Sequence, residues 1–254
     1  MKIALVQSKP IAGDLKGNLA KIKNYIKSAE KDRAELIVFS EGSLTGLNIK
    51  GLVYDSTFRR EAENIKEEII KYSENIDLLI PIITEYRGNI FEYQTHISKG
   101  RIIKSYPSTP NETHEIFGED IEEAQKECIL KIKDKVISLN CPNGDADLNI
   151  YSFISVFDKN ENHIKPFMDA MPETDIPYIN LNSAGFCNGL CFSGGSFGVS
   201  QGKITYLAPY FEENYSLAEL SDSKITGPLS KEPKEGCEAI YGAITNSIKD
   251  FAEA

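Results

Sequence analysis

The stretch Ala34-Glu-Leu-Ile-Val-Phe-Ser-Glu-Gly-Ser-Leu-Thr-Gly46 is an apolar run that ends abruptly on a carboxylate. Residues Leu36 to Phe39 have the length, the β-branched content and the apolar continuity of a strand that is buried on both faces. Glu41 should therefore emerge at the C-terminal end of a strand, where α/β proteins place their chemistry. A carboxylate there is a candidate general base, and a surface glutamate that opens a glycine-rich turn fits the local pattern equally well.

Helix-linked strands and hairpins alternate along the rest of the chain. The predicted strands are Ile3–Val6, Leu36–Phe39, Leu78–Thr84, Ile90–Ser98, Arg101–Tyr106, Lys135–Cys141, Tyr151–Phe157, Tyr178–Leu181, Phe192–Ser200 and Lys203–Ala208. Helices are predicted between Leu15 and Ala29, between Ala62 and Tyr72, between Asn160 and Met171, and in the tail from Pro233 to Ala254. Tight turns at Lys99-Gly100 and Gln201-Gly202 indicate hairpins. This mixture predicts an α/β sandwich, with sheets of mixed strand direction covered by helices on their outer faces.

Length and charge limit the kinds of partner. A chain of 254 residues without an interdomain linker is expected to form a single domain, residues 1–254. A formal charge of −10 argues against nucleic acid or an anionic membrane as partner, because both would repel it. Small molecules and proteins remain. The N-terminus has no signal-peptide pattern and no stretch could span a bilayer, so a cytoplasmic location is expected.

The cysteines also fit a cytoplasmic location. They are odd in number and scattered, at Cys128, Cys141, Cys187, Cys191 and Cys237, which is typical of free thiols in a reducing compartment. No histidine lies beside a cysteine, and no cluster of His, Asp or Glu has the spacing of metal ligands. We therefore expect neither a metal nor a cofactor.

Two predicted strands end on reactive groups, Glu41 and Cys141. A thiol is mostly protonated at pH 7, so a neighbouring carboxylate can act as base and generate a thiolate that attacks a carbonyl carbon. That pair would perform acyl transfer. A lone Cys141, however, is more often a buried apolar residue than a nucleophile.

Several motifs, in order, resemble the nitrilase or carbon-nitrogen hydrolase superfamily, and most closely the N-terminal glutaminase domain of glutamine-dependent NAD synthetase. The motifs are Lys2-Ile-Ala-Leu-Val-Gln7, Gly13-Asp-Leu-Lys-Gly-Asn18, Phe39-Ser-Glu-Gly-Ser-Leu-Thr-Gly46, Tyr178-Ile-Asn180, Phe192-Ser-Gly-Gly-Ser-Phe197 and Ala208-Pro-Tyr-Phe-Glu-Glu213. Each motif is weak alone, but their shared order makes the match specific. The resemblance implies an α-β-β-α sandwich with a Glu, a Lys and a Cys at strand ends.

Carried over by residue, the resemblance assigns the base to Glu41 and the nucleophile to Cys141. The family lysine falls on Ser108, so this chain lacks it. Lys104 lies four residues earlier and is a weak substitute candidate, since a replacement must bring its ammonium within hydrogen-bond reach of the oxyanion.

A second departure affects the same oxyanion. In the family the backbone N–H after the cysteine also holds the oxyanion, and here that residue is Pro142, which has no N–H. Losing one such donor typically costs about 100- to 1000-fold in rate, and here both are lost. The family's glutamine-contacting segment reads Val156-Phe-Asp-Lys159 and is also altered.

The resemblance leaves three functions open. The first is an amidase, most plausibly one that releases ammonia from glutamine or another small amide through Cys141 and Glu41. The second is a catalytically impaired relative that acts as a scaffold or regulatory partner in NAD biosynthesis, for example of an ammonia-dependent NAD synthetase domain or subunit. The third is a different small-molecule pocket in place of the old site. The family also implies a homo-oligomer.

The C-terminal segment, residues 234–254, is predicted to be an amphipathic helix whose apolar face carries Cys237, Ile240, Ile244, Ile248 and Phe251. It resembles the segment that leads into the synthetase domain of these enzymes. The sequence is thus expected to be either a stand-alone relative or an excised N-terminal domain.

Overall fold

Two β-sheets face each other, and helices cover their outer sides. The computed structural model describes residues 1–49, 51–86, 89–107, 128–141, 143–152, 154–159, 163–171, 174–231 and 236–253. The helices are α1 (Leu15–Lys31), α2 (Ser56–Ile70), α3 (Ile164–Ala170) and α4 (Cys237–Glu253). The strands are β1 (Lys2–Gln7), β2 (Leu36–Phe39), β3 (Asp77–Tyr86), β4 (Asn89–Ser98), β5 (Arg101–Pro107), β6 (Ile129–Ile132), β7 (Lys135–Leu139), β8 (Leu148–Ser152), β9 (Tyr178–Leu181), β10 (Ala184–Cys187), β11 (Leu190–Ser193), β12 (Phe197–Ser200), β13 (Lys203–Leu207), β14 (Asn214–Ser221) and β15 (Lys224–Thr226).

Each sheet is built around three parallel strands with antiparallel strands on both sides. In the described residues the first sheet has the order β15-β14-β1-β2-β3-β4-β5, and β1, β2 and β3 are parallel. The second sheet has the order β13-β12-β9-β8-β7-β6, and β7, β8 and β9 are parallel. Strands β10 and β11 form a separate hairpin. The predicted sandwich of mixed sheets is confirmed.

Alternating side chains of the strands build the three layers of core. One face of the first sheet packs on α1 and α2, in a cluster that includes Ile37, Phe39 and Leu78. The opposite face supplies Val38 and Leu79 to the cluster between the two sheets. On the outer face of the second sheet, aromatic residues pack against α3. The order of layers is therefore helix, sheet, sheet, helix, as predicted.

Capping residues fix where the first two helices begin. The Asp14 carboxylate accepts a hydrogen bond from the Gly17 N–H at 2.9 Å at the start of α1. The Asp55 carboxylate accepts from two N–H groups at the start of α2, at 2.7 and 2.9 Å. Because of that cap, α2 begins at Ser56, inside the segment predicted to be irregular up to Arg60.

Three predicted strands need correction, and four further strands were missed. The strand predicted at Tyr151–Phe157 is β8, which lies earlier at Leu148–Ser152. The strand predicted at Phe192–Ser200 is broken into β11 and β12, because Gly194 and Gly195 both have positive φ. The strand predicted to reach Cys141 ends at Leu139. Strands β6, β10, β14 and β15 were not predicted.

Helix α4 turns its large apolar side chains away from the protein. Its most buried residues are Ala243 and Asp250, at 4% and 7% exposure. Ile244, Ile248 and Phe251, predicted to line an apolar face, are all more than half exposed. In the described part of the chain, no helix combines the length and apolar character needed to cross a membrane.

Candidate active site

Glu41 lies in a buried turn directly after β2. All residues from Ser40 to Leu47 are buried, and Glu41 is 6% exposed. The turn approaches the segment after β1 closely, since a Cβ on Gly46 would lie 2.4 Å from the Ala12 Cα atom. The alternative of a surface glutamate is therefore wrong, and the turn is fixed by its surroundings.

Buried serines on neighbouring segments form hydrogen bonds with this turn. The Ser183 hydroxyl lies 2.6 Å from the Glu41 carbonyl oxygen and 2.7 Å from the Ser40 hydroxyl oxygen. Ser40 Oγ in turn accepts from the Ser8 N–H at 2.9 Å. The backbone of Glu41 is thus anchored to residues that follow β9 and β1.

A second carboxylate, Glu92 on β4, holds the turn from the other side. It accepts from the Gly42 N–H at 2.9 Å and from the Thr45 hydroxyl at 3.1 Å. Burial raises the pKa of Glu92. The prediction of the site from sequence missed Glu92, although an acidic residue inside the otherwise apolar and aromatic run Ile90–Tyr93 is a usable signal.

Cys141 lies at the end of the second sheet. It is preceded by Asn140, whose φ of 52° is left-handed and turns the chain out of β7. The Ser138 hydroxyl donates to the Cys141 carbonyl oxygen. The Cys141 side chain is half-buried and packs against the cluster between the sheets. Burial raises the pKa of its thiol, so burial disfavours the thiolate.

Hydrogen bonds join the two strand ends that carry Glu41 and Cys141. The Gln94 Nε2 atom, on β4, donates to the Phe39 carbonyl oxygen and to the Ser152 hydroxyl oxygen, both at 3.1 Å. The Ser152 N–H donates to Asn140 Oδ1 at 2.8 Å. The ends of β2, β7 and β8 are therefore linked across the two sheets. Gln94 was not predicted from the sequence either.

Lys104, the candidate to replace the family lysine, contacts an aromatic ring. Its ammonium nitrogen lies 5.5 Å from the centroid of the Tyr106 ring. Tyr106 is buried between the sheets and its hydroxyl donates to the Ile129 carbonyl oxygen at 3.1 Å. Ser108 and Pro142 both fall outside the described residues.

The described residues contain neither a disulfide nor a cluster of side chains that could bind a metal ion. All five cysteines are free thiols, as predicted. Within the described ranges, no group of three or more His, Cys, Asp or Glu residues could hold a metal ion. A carboxylate and a thiol on linked strand ends are the groups that this arrangement offers, and such a pair is suited to nucleophilic acyl transfer.

The sequence of this chain is similar to those of several known proteins. Residues 2–111 match the model of the carbon-nitrogen hydrolase family. The glutamine-dependent NAD(+) synthetase of Synechocystis sp. is 24% identical, over 98% of this chain and 52% of its own length. That of Aquifex aeolicus is 22% identical, over 98% of this chain and 47% of its own length. The chain thus spans about half the length of these curated relatives.

Solved structures agree on the fold. The glutamine-dependent NAD+ synthetase of Acinetobacter baumannii, in complex with ADP, superposes with a TM-score of 0.82 at 18% identity, covering 99% of this chain and 52% of that one. A mutant amidase of Nesterenkonia sp. AN1, from the nitrilase superfamily, superposes with a TM-score of 0.70 at 18% identity, covering 87% and 91% of the two chains. Residues 2–111 are therefore similar to the carbon-nitrogen hydrolase family, nearly the whole chain is similar in sequence to the N-terminal region of glutamine-dependent NAD synthetases, and its fold is that of these synthetases and of the amidase from the nitrilase superfamily.

Proposed function

We propose that this protein is a catalytically impaired relative of the glutaminase domain, which acts as a scaffold or regulatory component in NAD biosynthesis. The observation that carries the proposal is Pro142, directly after Cys141, because a proline cannot donate a backbone hydrogen bond to an oxyanion. Ser108, at the position of the family lysine, removes the second donor that the family would use.

The environment of the thiol supports the same proposal. A nucleophilic cysteine needs a lowered pKa or a well-placed base, and burial acts on Cys141 in the opposite direction. The segment Val156-Phe-Asp-Lys159, at the position of the family's glutamine contacts, also departs from the family pattern. The oxyanion donors and the substrate contacts thus both depart from the family pattern, and burial disfavours the thiolate of the nucleophile that is kept.

Ammonia release from glutamine tests the proposal directly. Wild type and Cys141→Ala are compared under identical conditions, with near-equal melting temperatures as the control for folding. We expect equal background release from both. Turnover in the wild type that disappears in Cys141→Ala would overturn the proposal and establish a thiol amidase.

A gain-of-function variant tests the physical reason. Ser108→Lys combined with Pro142→Ala restores one candidate donor and one N–H, so Cys141-dependent ammonia release should rise about 100-fold or more over the wild-type background. The same pair of substitutions on Cys141→Ala is the matched control. A folded double variant that shows no gain would contradict the view that the missing donors limit the reaction.

A thiol amidase remains the second candidate function. The observation that favours it is the set of hydrogen bonds that fix the turn of Glu41, from Ser183 on one side and from Glu92 on the other. In a mutant of the Nesterenkonia sp. amidase, acrylamide adds to the active-site cysteine in a Michael addition, so acrylamide is a suitable probe of a reactive thiol. Selective acrylamide labelling of Cys141 among the five thiols would favour this candidate, and labelling of exposed Cys237 alone would count against it.

The proposed partner is an ammonia-dependent NAD synthetase domain or subunit. The curated relatives are about twice as long as this chain and their names describe NAD synthesis that depends on glutamine. If the chain serves as a scaffold, a purified ammonia-dependent NAD synthetase should bind it equally well in the wild-type and Cys141→Ala forms. Absence of binding to both would remove support for the scaffold role.

A further inference from the structure

Helix α4 presents a stripe of large apolar side chains to solvent. Tyr241, Ile244, Ile248 and Phe251 are exposed by 70%, 53%, 65% and 76%. They are spaced by three, four and three residues, so they lie on one side of the helix. We call these four residues the α4 stripe. The opposite side of the helix packs on strands β10 and β11.

The side of α4 that faces the protein is held by polar contacts instead. Asp250 forms an ion pair with Lys9 and accepts from the Phe186 N–H at 2.9 Å. The usual arrangement of a surface helix, apolar inside and polar outside, is therefore reversed along this segment. A reversed helix exposes apolar surface that a second surface must cover to recover its burial energy.

Polar groups beside the stripe are already satisfied within the helix. The Thr245 hydroxyl donates to the Tyr241 carbonyl oxygen at 2.7 Å, and the Ser247 hydroxyl donates to the Ala243 carbonyl oxygen at 2.7 Å. Covering this side of α4 would therefore leave these two side chains with their hydrogen bonds.

The order of the stripe identifies the second surface. Read from either end, it is an aromatic residue, an isoleucine, an isoleucine and an aromatic residue, with the spacing three, four, three. Around a twofold axis, two antiparallel copies of α4 would set Tyr241 against Phe251 and Ile244 against Ile248. A surface that matches its own reversed copy is the property that an isologous dimer interface requires.

The area of the stripe is sufficient for a weak dimer. Its four side chains expose roughly 500 Å² per copy, so a pair would bury about 1,000 Å², near the lower limit of specific interfaces. We propose that the α4 stripe is a self-association surface, on which two copies of this chain pair through antiparallel α4 helices.

Sedimentation equilibrium of the 254-residue chain tests the proposal. We expect a concentration-dependent shift in the micromolar range from 28.3 kDa toward twice that mass. Ile244→Lys places a charge at the centre of the interface, and we expect it to weaken dimerisation at least tenfold. Ile103→Lys, at a 46% exposed position on β5, is the matched control and should leave dimerisation unchanged.

Mixing two variants tests the antiparallel register. Ile244→Lys and Ile248→Glu should each be mainly monomeric, because each introduces charge into an apolar contact twice per dimer. In a mixture, the lysine of one chain meets the glutamate of the other while the remaining isoleucines pair, so heterodimers should form. Parallel pairing predicts no such recovery.

Three results would overturn the proposal. They are a monomer at every concentration, a dimer that Ile244→Lys leaves intact, or a dimer whose mixed variants fail to recover. Equal melting temperatures of the diluted monomeric variants and wild type show that the substitutions act on association and not on folding. If the chain is monomeric but binds an NAD synthetase in a manner that Ile244→Lys abolishes, the stripe belongs to that partner instead. Ammonia release does not enter these measurements, so the result is independent of the proposed function.

Discussion

Glu92 is the residue on which the geometry of the Glu41 turn depends most directly. Its two carboxylate oxygens accept from different groups, Gly42 N–H and the Thr45 hydroxyl. Burial raises its pKa, so the folded state holds a proton on Glu92 at pH values where the unfolded chain has lost it. Its stabilising contribution is therefore complete at low pH and is lost as the pH rises through the pKa of the folded state.

Glu92→Gln should remove this pH dependence, because an amide does not titrate. The amide keeps one oxygen for Gly42 N–H, and its NH₂ can donate to the Thr45 oxygen, so both contacts survive. Relative to wild type, the variant should be close to neutral at pH 4 and more stable by roughly 1 kcal/mol at pH 7. Urea unfolding at both pH values measures this difference, with Glu85→Gln at an exposed position of β3 as control. A difference that is the same at both pH values would contradict the prediction.

At the residue scale, the sequence predicts that Glu41 and Cys141 follow strand ends, and it misses the side chains that hold those strand ends in place. Glu41 is identifiable because it ends an apolar run, and Cys141 because the family motif points to it. Glu92 and Gln94 act through contacts with residues about 50 positions away along the chain. No local periodicity encodes such contacts, so they become visible only when β4 is placed beside the end of β2.

Among the elements, the most predictable are those with strong local signals. The turn at Lys99 and Gly100 has positive φ at both residues, as a two-residue hairpin requires. The unpredicted strand β14 has a mixed pattern, and its place beside β1 is set by pairing over 200 residues. Helix α4 shows the converse case. Its apolar periodicity predicts the helix correctly but not which side is buried.

One ion pair contributes to the docking of α4, and Lys9→Met tests how much it contributes. The Asp250 side chain is 5% exposed and that of Lys9 24%, so removing the ammonium leaves a carboxylate buried without its cation. We expect a loss of about 3 kcal/mol in the free energy of unfolding, measured by urea denaturation. Lys16→Met is the matched control, since its pair with Glu61 is exposed and should contribute less than about 1 kcal/mol.

The double variant Lys9→Met, Asp250→Asn separates the loss of the ion pair from the cost of leaving the Asp250 carboxylate buried without its cation. It removes the orphaned charge, so it should recover part of the stability that Lys9→Met loses. If Lys9→Met costs no more than the Lys16→Met control, the ion pair does not anchor α4, and the contacts with β10 and β11 must suffice.

On the scale of the whole molecule, the sandwich is what links strand ends that are distant in sequence. Glu41 follows β2 of one sheet and Cys141 follows β7 of the other, and Gln94 and Ser152 connect them across the interface. The apolar cluster between the sheets holds this register. A site built in this way requires both sheets and both of their covering layers to fold as a unit.

Two neighbouring leucines on β3 test whether the layers unfold together, because their side chains point into different layers. Leu78 packs toward α1 and α2, and Leu79 packs between the sheets, while both are fully buried. If residues 1–254 form a single cooperative domain, Leu78→Ala and Leu79→Ala should each cost about 2 to 5 kcal/mol, which corresponds to a melting temperature lower by roughly 5 to 15 °C. Leu229→Ala, at a 64% exposed position, should change stability by less than about 0.5 kcal/mol.

The shape of the transition distinguishes a single domain from separable layers. Helix content by circular dichroism and tyrosine fluorescence should lose signal together in both variants, since the chain contains no tryptophan to bias the second probe. If the helical layer were an independent unit, Leu78→Ala would lower the helix transition alone and split it from the fluorescence change. Coincident curves in both variants would mean that a substitution on the helix-covered face also destabilises the core between the sheets, together with the strand end that carries Cys141.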